Sequence, residues 1–416
     1  MKSCSIFFSA FIFFFVLFFR WDSLDATYLG WTKNVLIILF VVINAPLLLK
    51  FNLRKIRWIN WMFLIWGIVA IIAAYKNQNV SFDVMRWSSQ AHDFVVDKTA
   101  KSMKITQIIS YVTGILFFVL YFEKINRIGK TDLFLKYLFY LMLPFIICSD
   151  INGFTYHSEG ISGYQIGNKF YLCYSNIFLA TVYLLRYPLE LKNHRRNIKI
   201  LLLVTFLLSI KTGCSTMIIG TLFYYMLTFV VKGEKLQFLY RPSTYIVGIF
   251  ICDILFFLFV TWIMTLPIVQ YIVVDVLGED LTLTGRLSMY EKLGDVLTEC
   301  PLYGFGIGNA PLTTFMYGVG ENAQNGLFNM FIESGFIGTT AYLIAAVLLI
   351  KHTEGNHFYF PIIGFIYMML LLSTIEVTFT TYFTAIMIML LLSDKNKKRK
   401  KPQIRNYAPN MIQKRK

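Results

Sequence analysis

Apolar residues in this chain arrive in long runs, and polar residues are largely confined to the segments between them. The first run covers 4 to 19, directly after Met1-Lys2-Ser3. Others follow near 34 to 49, 56 to 74, 105 to 122, 133 to 148, 170 to 187, 198 to 210, 215 to 231, 244 to 266, 327 to 350, 358 to 375 and 379 to 393. Most approach the length of about 20 residues that carries a helix across roughly 30 Å of hydrocarbon. The pattern predicts an all-α polytopic membrane protein with about 12 transmembrane helices. No small-x-small cleavage site precedes Arg20, so the first run reads as a retained span. The two runs flanking Lys211-Thr212-Gly213-Cys214 are short and read as a broken or re-entrant element.

One stretch departs from this pattern. Residues 1 to 266 hold about nine expected spans, 327 to 393 hold about three, and between them lies a large polar loop, 267 to 326. Within and just before its glycine-rich part, Leu287, Tyr290, Leu293, Val296, Leu297 and Cys300 recur at helical spacing. Thr284 is placed to cap that helix and Pro301 to end it, which predicts an amphipathic helix lying on the membrane surface. The segment 75 to 104, with Arg86, His92, Asp93 and Asp97 among Trp87 and Phe94, reads as a solvated loop or an interfacial amphipathic stretch.

Composition agrees with this picture: 57% of the 416 residues are apolar and 15% charged, far from a soluble average. The net charge of +16 would suit nucleic acid, but the cations sit in clusters between apolar runs and in the tail. Counted by alternate loops, 28 of the 39 Lys and Arg residues fall on the set holding Lys2, Lys351 and the 394 to 416 tail, and 11 on the other. The positive-inside rule then puts both termini in the cytoplasm and the large loop outside. The basic tail reads as a solvated flank able to touch membrane lipids. The six cysteines are scattered, with no pairing or metal-binding spacing.

Candidate chemistry gathers on the outward loops. Arg286 falls in the first turn of the amphipathic helix, where free N–H groups, the helix dipole and a guanidinium all favour a phosphate. Lys169 and Lys211 lie at outer ends of spans, on the side where positive charge is scarce. Asp253 sits inside an apolar run, where an ionisable group is costly, and reads as structural. Gly304, Gly306 and Gly308 alternate in PLYGFGIGNAP with no nucleotide-binding context, which predicts close backbone approach to a ligand or a neighbouring helix. If a helix begins near Gly326, then Asn325, Asn329 and Glu333 form one polar stripe beside Gln324. Glu333 is the best-placed base among carboxylates that include Glu291, Asp295 and Glu321.

In order, TGR, PLYGFGIG and QNGLFNMFIESGFIG resemble the motifs of the O-antigen ligase/polymerase superfamily, in particular Wzy-type polysaccharide polymerases. The likeness covers about 55 residues, and GYQIGNKF resembles the family's basic position before a span, which maps to Lys169. It departs at Gln324, where ligase-like members often carry His, and KTGCS offers only Lys211 for an expected arginine. The resemblance implies a GT-C-like helical fold and a bacterial cytoplasmic-membrane glycosyltransferase. Such an enzyme transfers a growing glycan from undecaprenyl diphosphate onto a lipid-linked repeat unit, with inversion. It implies catalytic roles for Arg286, Glu333 and Asn325. Substrate binding would fall to Lys169, Lys211, Gln324, Asn329 and the three loop glycines. No metal, cofactor or nucleic acid is expected; a flippase and a chain-length regulator are natural companions. A ligase acting on another acceptor, or a lipid-linked sugar flippase or transporter, are the alternatives. The transporter reading expects internal repeats and charges within spans, whereas no internal repeat is visible and ionisable residues gather in one external loop.

Overall fold

A computed structural model describes residues 3–19, 26–48, 57–78, 81–88, 93–101, 103–155, 169–187, 192–230, 233–276, 286–317, 323–354 and 360–392. Each expected apolar run coincides with helix. In chain order these are α1 (Ser3–Leu17), α2 (Ala26–Leu48), α3 (Trp58–Asn77), α4 (Ile105–Arg127), α5 (Thr131–Thr155), α6 (Lys169–Arg186), α7 (Lys192–Lys211) and α8 (Ser215–Tyr225). A π-helical turn, Met226–Val230, prolongs α8. Next, α9 (Pro242–Ile249) and α10 (Phe256–Ile263) join through a π-helical turn, Phe250–Leu255. The large loop contributes α11 (Pro267–Gln270), α12 (Arg286–Glu299) and α13 (Ala310–Met316), and α14 (Gly326–Thr353), α15 (Phe360–Leu372) and α16 (Thr381–Met389) follow. Among the described residues, 6 helical segments are long and apolar enough to cross a membrane, and four more are apolar but shorter. The protein is therefore a helical, multi-pass membrane protein.

The all-α expectation needs one addition. Ser81–Ser88 (β1) and Asp93–Lys101 (β2) pair antiparallel, with Arg86 opposite Val95 and Trp87 opposite Phe94. The segment expected to be a loop or an interfacial stretch is thus a hairpin. Phe82, Val84 and Trp87 on β1 and Phe94, Val95, Val96 and Thr99 on β2 are β-branched or aromatic, the residue types that favour a strand.

Aromatic packing holds the bundle together. Lipid tails are as apolar as leucine, so helices associate in a bilayer through contact and shape rather than through expulsion from water. On α1, Phe13 meets Phe118, Phe122 and Phe134 with ring centroids 5.0 to 5.8 Å apart, and Phe18, just past its end, meets Phe178 at 4.4 Å and Tyr382 at 4.7 Å. Pairs of this kind contribute roughly 0.5–1.5 kcal/mol each beyond area burial. The N-terminal helix is therefore a central element of the core. Trp31, Ile38, Val42, Leu258 and Trp262 point outward, as expected of lipid-facing positions.

Contacts sort the loops into two ends, in the same grouping as the Lys/Arg count. At one end Arg57 and Arg127 lie 3.5 and 3.7 Å from the buried Glu123 carboxylate, and Arg57 meets His352 at 3.3 Å. There too Asn126 donates to the Leu391 carbonyl. At the opposite end stand Lys169, the α7–α8 turn, the α15–α16 turn and the large loop, described next. The Lys211–Cys214 segment is a tight turn of a helical hairpin: Gly213 has φ +59° and the Cys214 N–H returns to the Ser209 carbonyl at 2.8 Å.

Candidate functional site

The glycine-rich turn and α14 build each other. Gly304, Gly306 and Gly308 have φ of +81°, +109° and +80°, and Gly335, inside α14, has φ +61° and ψ −172°. That last conformation is accessible essentially only to glycine. It opens α14 enough for the loop to bond to its backbone: Phe305 N–H to the Ile332 carbonyl (2.8 Å), Gly306 N–H to the Glu333 carbonyl (3.0 Å), and Ile337 N–H to the Leu302 carbonyl (3.1 Å). A Cβ on Gly304 would sit 2.4 Å from the Gly335 nitrogen, and one on Gly335 would sit 2.3 Å from the Gly304 nitrogen. Gly304 thus makes a close approach to a neighbouring helix, while a Cβ on Gly308 would meet the Met103 side chain. Glu333 completes the lock, its Oε1 accepting from Gly308 N–H at 3.0 Å. Asn309 bonds back to the Phe305 carbonyl and accepts from Met103 N–H, tying the turn to the chain beyond the hairpin.

The amphipathic helix forms as its periodicity predicts and ends before Pro301, but its apolar stripe is covered by protein. Tyr290, Leu293 and Val296 are buried in one cluster with Val260, Phe328 and Ile332, so α12 docks on α10 and the start of α14 rather than presenting that stripe to lipid. The reason is local: an opened α14 and the adjoining α10 offer an apolar seat. Tyr290 then ties two segments together, its hydroxyl lying 2.9 Å from the Gln324 carbonyl and 3.1 Å from the Thr374 carbonyl in the α15–α16 turn. Thr284, proposed as the cap, lies outside the described residues. So do Glu321 and the side chain of Arg286, whose backbone opens α12.

Asn325 does not share a helix face with Asn329 and Glu333. It is the N-cap of α14, in extended conformation, and its Oδ1 accepts from Phe328 N–H at 3.0 Å. Gln324 before it has φ +49°. Gly326 N–H bonds to the Ser373 carbonyl at 3.0 Å, which pins the start of α14 to the α15–α16 turn. Asn329 is buried one turn on. Facing this junction from the π-helical turn of the preceding span is Asp253, fully buried and close to Asn325, Ser373 and Leu327. Neither the Asp253 oxygens nor Asn325 Nδ2 reaches a partner at hydrogen-bond distance.

The α15–α16 turn also reaches the basic positions. Glu376 accepts from Thr216 at the start of α8 (3.4 Å), next to the turn whose Gly213 carbonyl accepts from Lys169 Nζ at 3.0 Å. Asn176 donates to Asp150 at 2.7 Å, and Cys173 contacts Ser209 at 3.3 Å, both one turn or two below Lys169 on α6. Lys211 is exposed at the end of α7. The structure thus joins Lys169, the Lys211 turn, Gln324 and Asn325 through one turn that carries Glu376. Glu333 and the three glycines form a second group, against α3 and the hairpin side. Sequence reasoning passed over Glu376; its signal is an acidic residue in a three-residue gap between two apolar runs on the end that already holds the candidate cations.

Cys300 marks where α12 meets the broken helix, with its Sγ 3.3 Å from the Phe331 carbonyl, and burial pushes its thiol up to about 11. Among the described residues no group of three His, Cys, Asp or Glu side chains could hold a metal ion. No family model, curated protein or solved structure matches this chain.

Proposed function

We propose that the protein is a membrane polysaccharide polymerase that transfers a growing glycan from undecaprenyl diphosphate onto a lipid-linked repeat unit. The observation that carries this reading is the α15–α16 turn, which brings Glu376 beside the turn bonded by Lys169 and, through Tyr290, beside Gln324 and the start of α14. A lipid-diphosphate donor has its tail in the bilayer and its phosphates at the boundary. Cations and a carboxylate at the end of an apolar bundle are what such a donor requires.

In this reading the acceptor hydroxyl oxygen attacks the anomeric carbon, the bond from that carbon to the phosphate oxygen breaks, and undecaprenyl diphosphate departs with the electron pair. Lys169, Lys211 and Arg286 neutralise charge on the departing diphosphate. A carboxylate takes the hydroxyl proton. Glu333 already holds the glycine turn through Gly308, so the geometry favours Glu376 for the proton, with Glu333, Asn325 and Asn329 keeping the junction in shape. Twelve spans, a GT-C-like arrangement and cytoplasmic termini complete the proposal; the resemblance of the TGR, PLYGFGIG and QNGLFNMFIESGFIG motifs supports it.

Deletion in the native host tests the biology. Cells lacking the protein are expected to carry single repeat units where the parent carries long chains, with lipid-linked single units accumulating. Unchanged chain length on deletion would overturn the polymerase reading.

A further inference from the structure

The end of the molecule away from the candidate site carries two basic concavities, and they differ in one respect. One is lined by Arg57, Trp58, Leu348, Lys351 and His352. There Arg57 already faces the Glu123 carboxylate, so part of the charge is satisfied within the protein. The other lies on a single helix and is lined by Lys192, Arg195, Arg196, Lys199, Ile200 and Leu203, with no carboxylate among them and a volume of about 310 Å³.

These six positions are spaced by three, one, three, one and three, so they share one face of α7. The four cations occupy the first two turns, about 10 Å of helix. Below them the same face becomes apolar: Ile200, Leu203, Leu207 and Ile210 are all about half exposed. The Lys199 ammonium lies 5.6 Å from the centre of the Phe229 ring, which holds one cation toward the helix. An adjoining group fixes the helix start, where Tyr183 contacts His194 Nδ1 at 2.7 Å and Asn197 donates to Tyr183 at 3.0 Å.

We propose that this face of α7 binds an anionic phospholipid, with its phosphate on the four cations and an acyl chain along Ile200, Leu203, Leu207 and Ile210. A free phosphate would use only the upper half of the face. The exposed apolar stripe continuing directly below the cations is the feature that commits the site to a lipid. Arginine can grip the phosphate with two parallel hydrogen bonds, and lysine adds charge.

The test uses the full-length protein in detergent, with bound lipid counted by native mass spectrometry after titration with phosphatidylglycerol or with phosphatidylcholine of the same chains. Phosphatidylglycerol is expected to be retained at lower concentration, and each cation removed in K192Q, R195Q, R196Q and K199Q to weaken retention by about five-fold. R195K/R196K, which keeps the charge but loses the two-pronged grip, is expected to bind more weakly than the parent and more tightly than R195Q/R196Q, and unfolding temperature and elution volume of each variant serve as the folding control. L203N/L207N is expected to weaken lipid retention with the cations intact. Equal retention of both lipids, or an unchanged quadruple variant, would overturn the site. Displacement of the lipid by millimolar inorganic phosphate, with no effect of L203N/L207N, would overturn the lipid assignment in favour of a free-phosphate site.

Discussion

Replacing Gly335 by alanine tests the interlock between the glycine turn and α14. The residue has φ +61° and ψ −172°, a conformation that costs a non-glycine residue of order 1–3 kcal/mol. Its new Cβ would also lie 2.3 Å from the Gly304 nitrogen and from the Leu302 carbonyl oxygen, both backbone atoms that no rotamer change can move. The chain can relieve this only by withdrawing the loop, which gives up hydrogen bonds at Phe305, Gly306, Gly308 and Ile337. At about 1 kcal/mol net for each, the docked state loses roughly 2–4 kcal/mol. Every 1.4 kcal/mol is about tenfold in population, so the undocked fraction rises at least 30-fold, roughly.

Cys300 reports this directly, because its sulfur sits against the Phe331 carbonyl at the docking surface. With its thiol raised to about 11, only about one molecule in a thousand is thiolate at pH 8, against about a quarter for an ordinary exposed cysteine. In the parent, maleimide labelling read at the Cys300 peptide should therefore be slow and should climb about tenfold per pH unit, since a raised thiol pKa leaves the reactive form scarce until the pH approaches it. In Gly335→Ala, labelling at pH 8 should be at least about tenfold faster and less steep in pH. Equal labelling of the two proteins would refute the interlock.

Three further outcomes follow from the same geometry. Glu376→Gln should lower glycan transfer by roughly 10²- to 10⁴-fold while leaving Cys300 labelling unchanged, whereas Glu333→Gln should speed Cys300 labelling; the reverse pairing would return the base to Glu333. Arg286→Lys keeps the charge but loses the two-pronged grip, and should remove most activity at normal membrane abundance; full activity would reduce Arg286 to a surface charge. A cysteine at the exposed Leu302 should react with an impermeant thiol reagent in intact cells and one at the exposed Asn193 should not, and the opposite pattern would invert the topology.

Apolar run length placed the helices well, because a bilayer imposes one requirement on every span and runs of apolar residues record it. The alternating glycines were legible as a close backbone approach, since three such residues at a spacing of two have few other uses. The choice of partner was not legible, because it depends on Gly335, a single residue whose break in α14 is invisible to periodicity. Asn325 was misplaced by one position: the polar stripe was counted from the residue that caps the helix, and a cap has the same composition as a polar face. The hairpin at 81 to 101 was not legible because its charged residues resemble a solvated loop and neither strand alternates cleanly between apolar and polar residues. Glu376 was not legible because three residues between apolar runs look like a bare connection, and only the fold brings α8 and α12 together there.

The central claim is that this chain joins repeat units using a donor that carries its own leaving group. Purified protein supplied with undecaprenyl-diphosphate repeat units and a chelator, but no nucleotide sugar, should yield a ladder of longer lipid-linked chains. Transfer that appears only when a nucleotide sugar or a divalent metal is added, or a product built on a different acceptor, would contradict it.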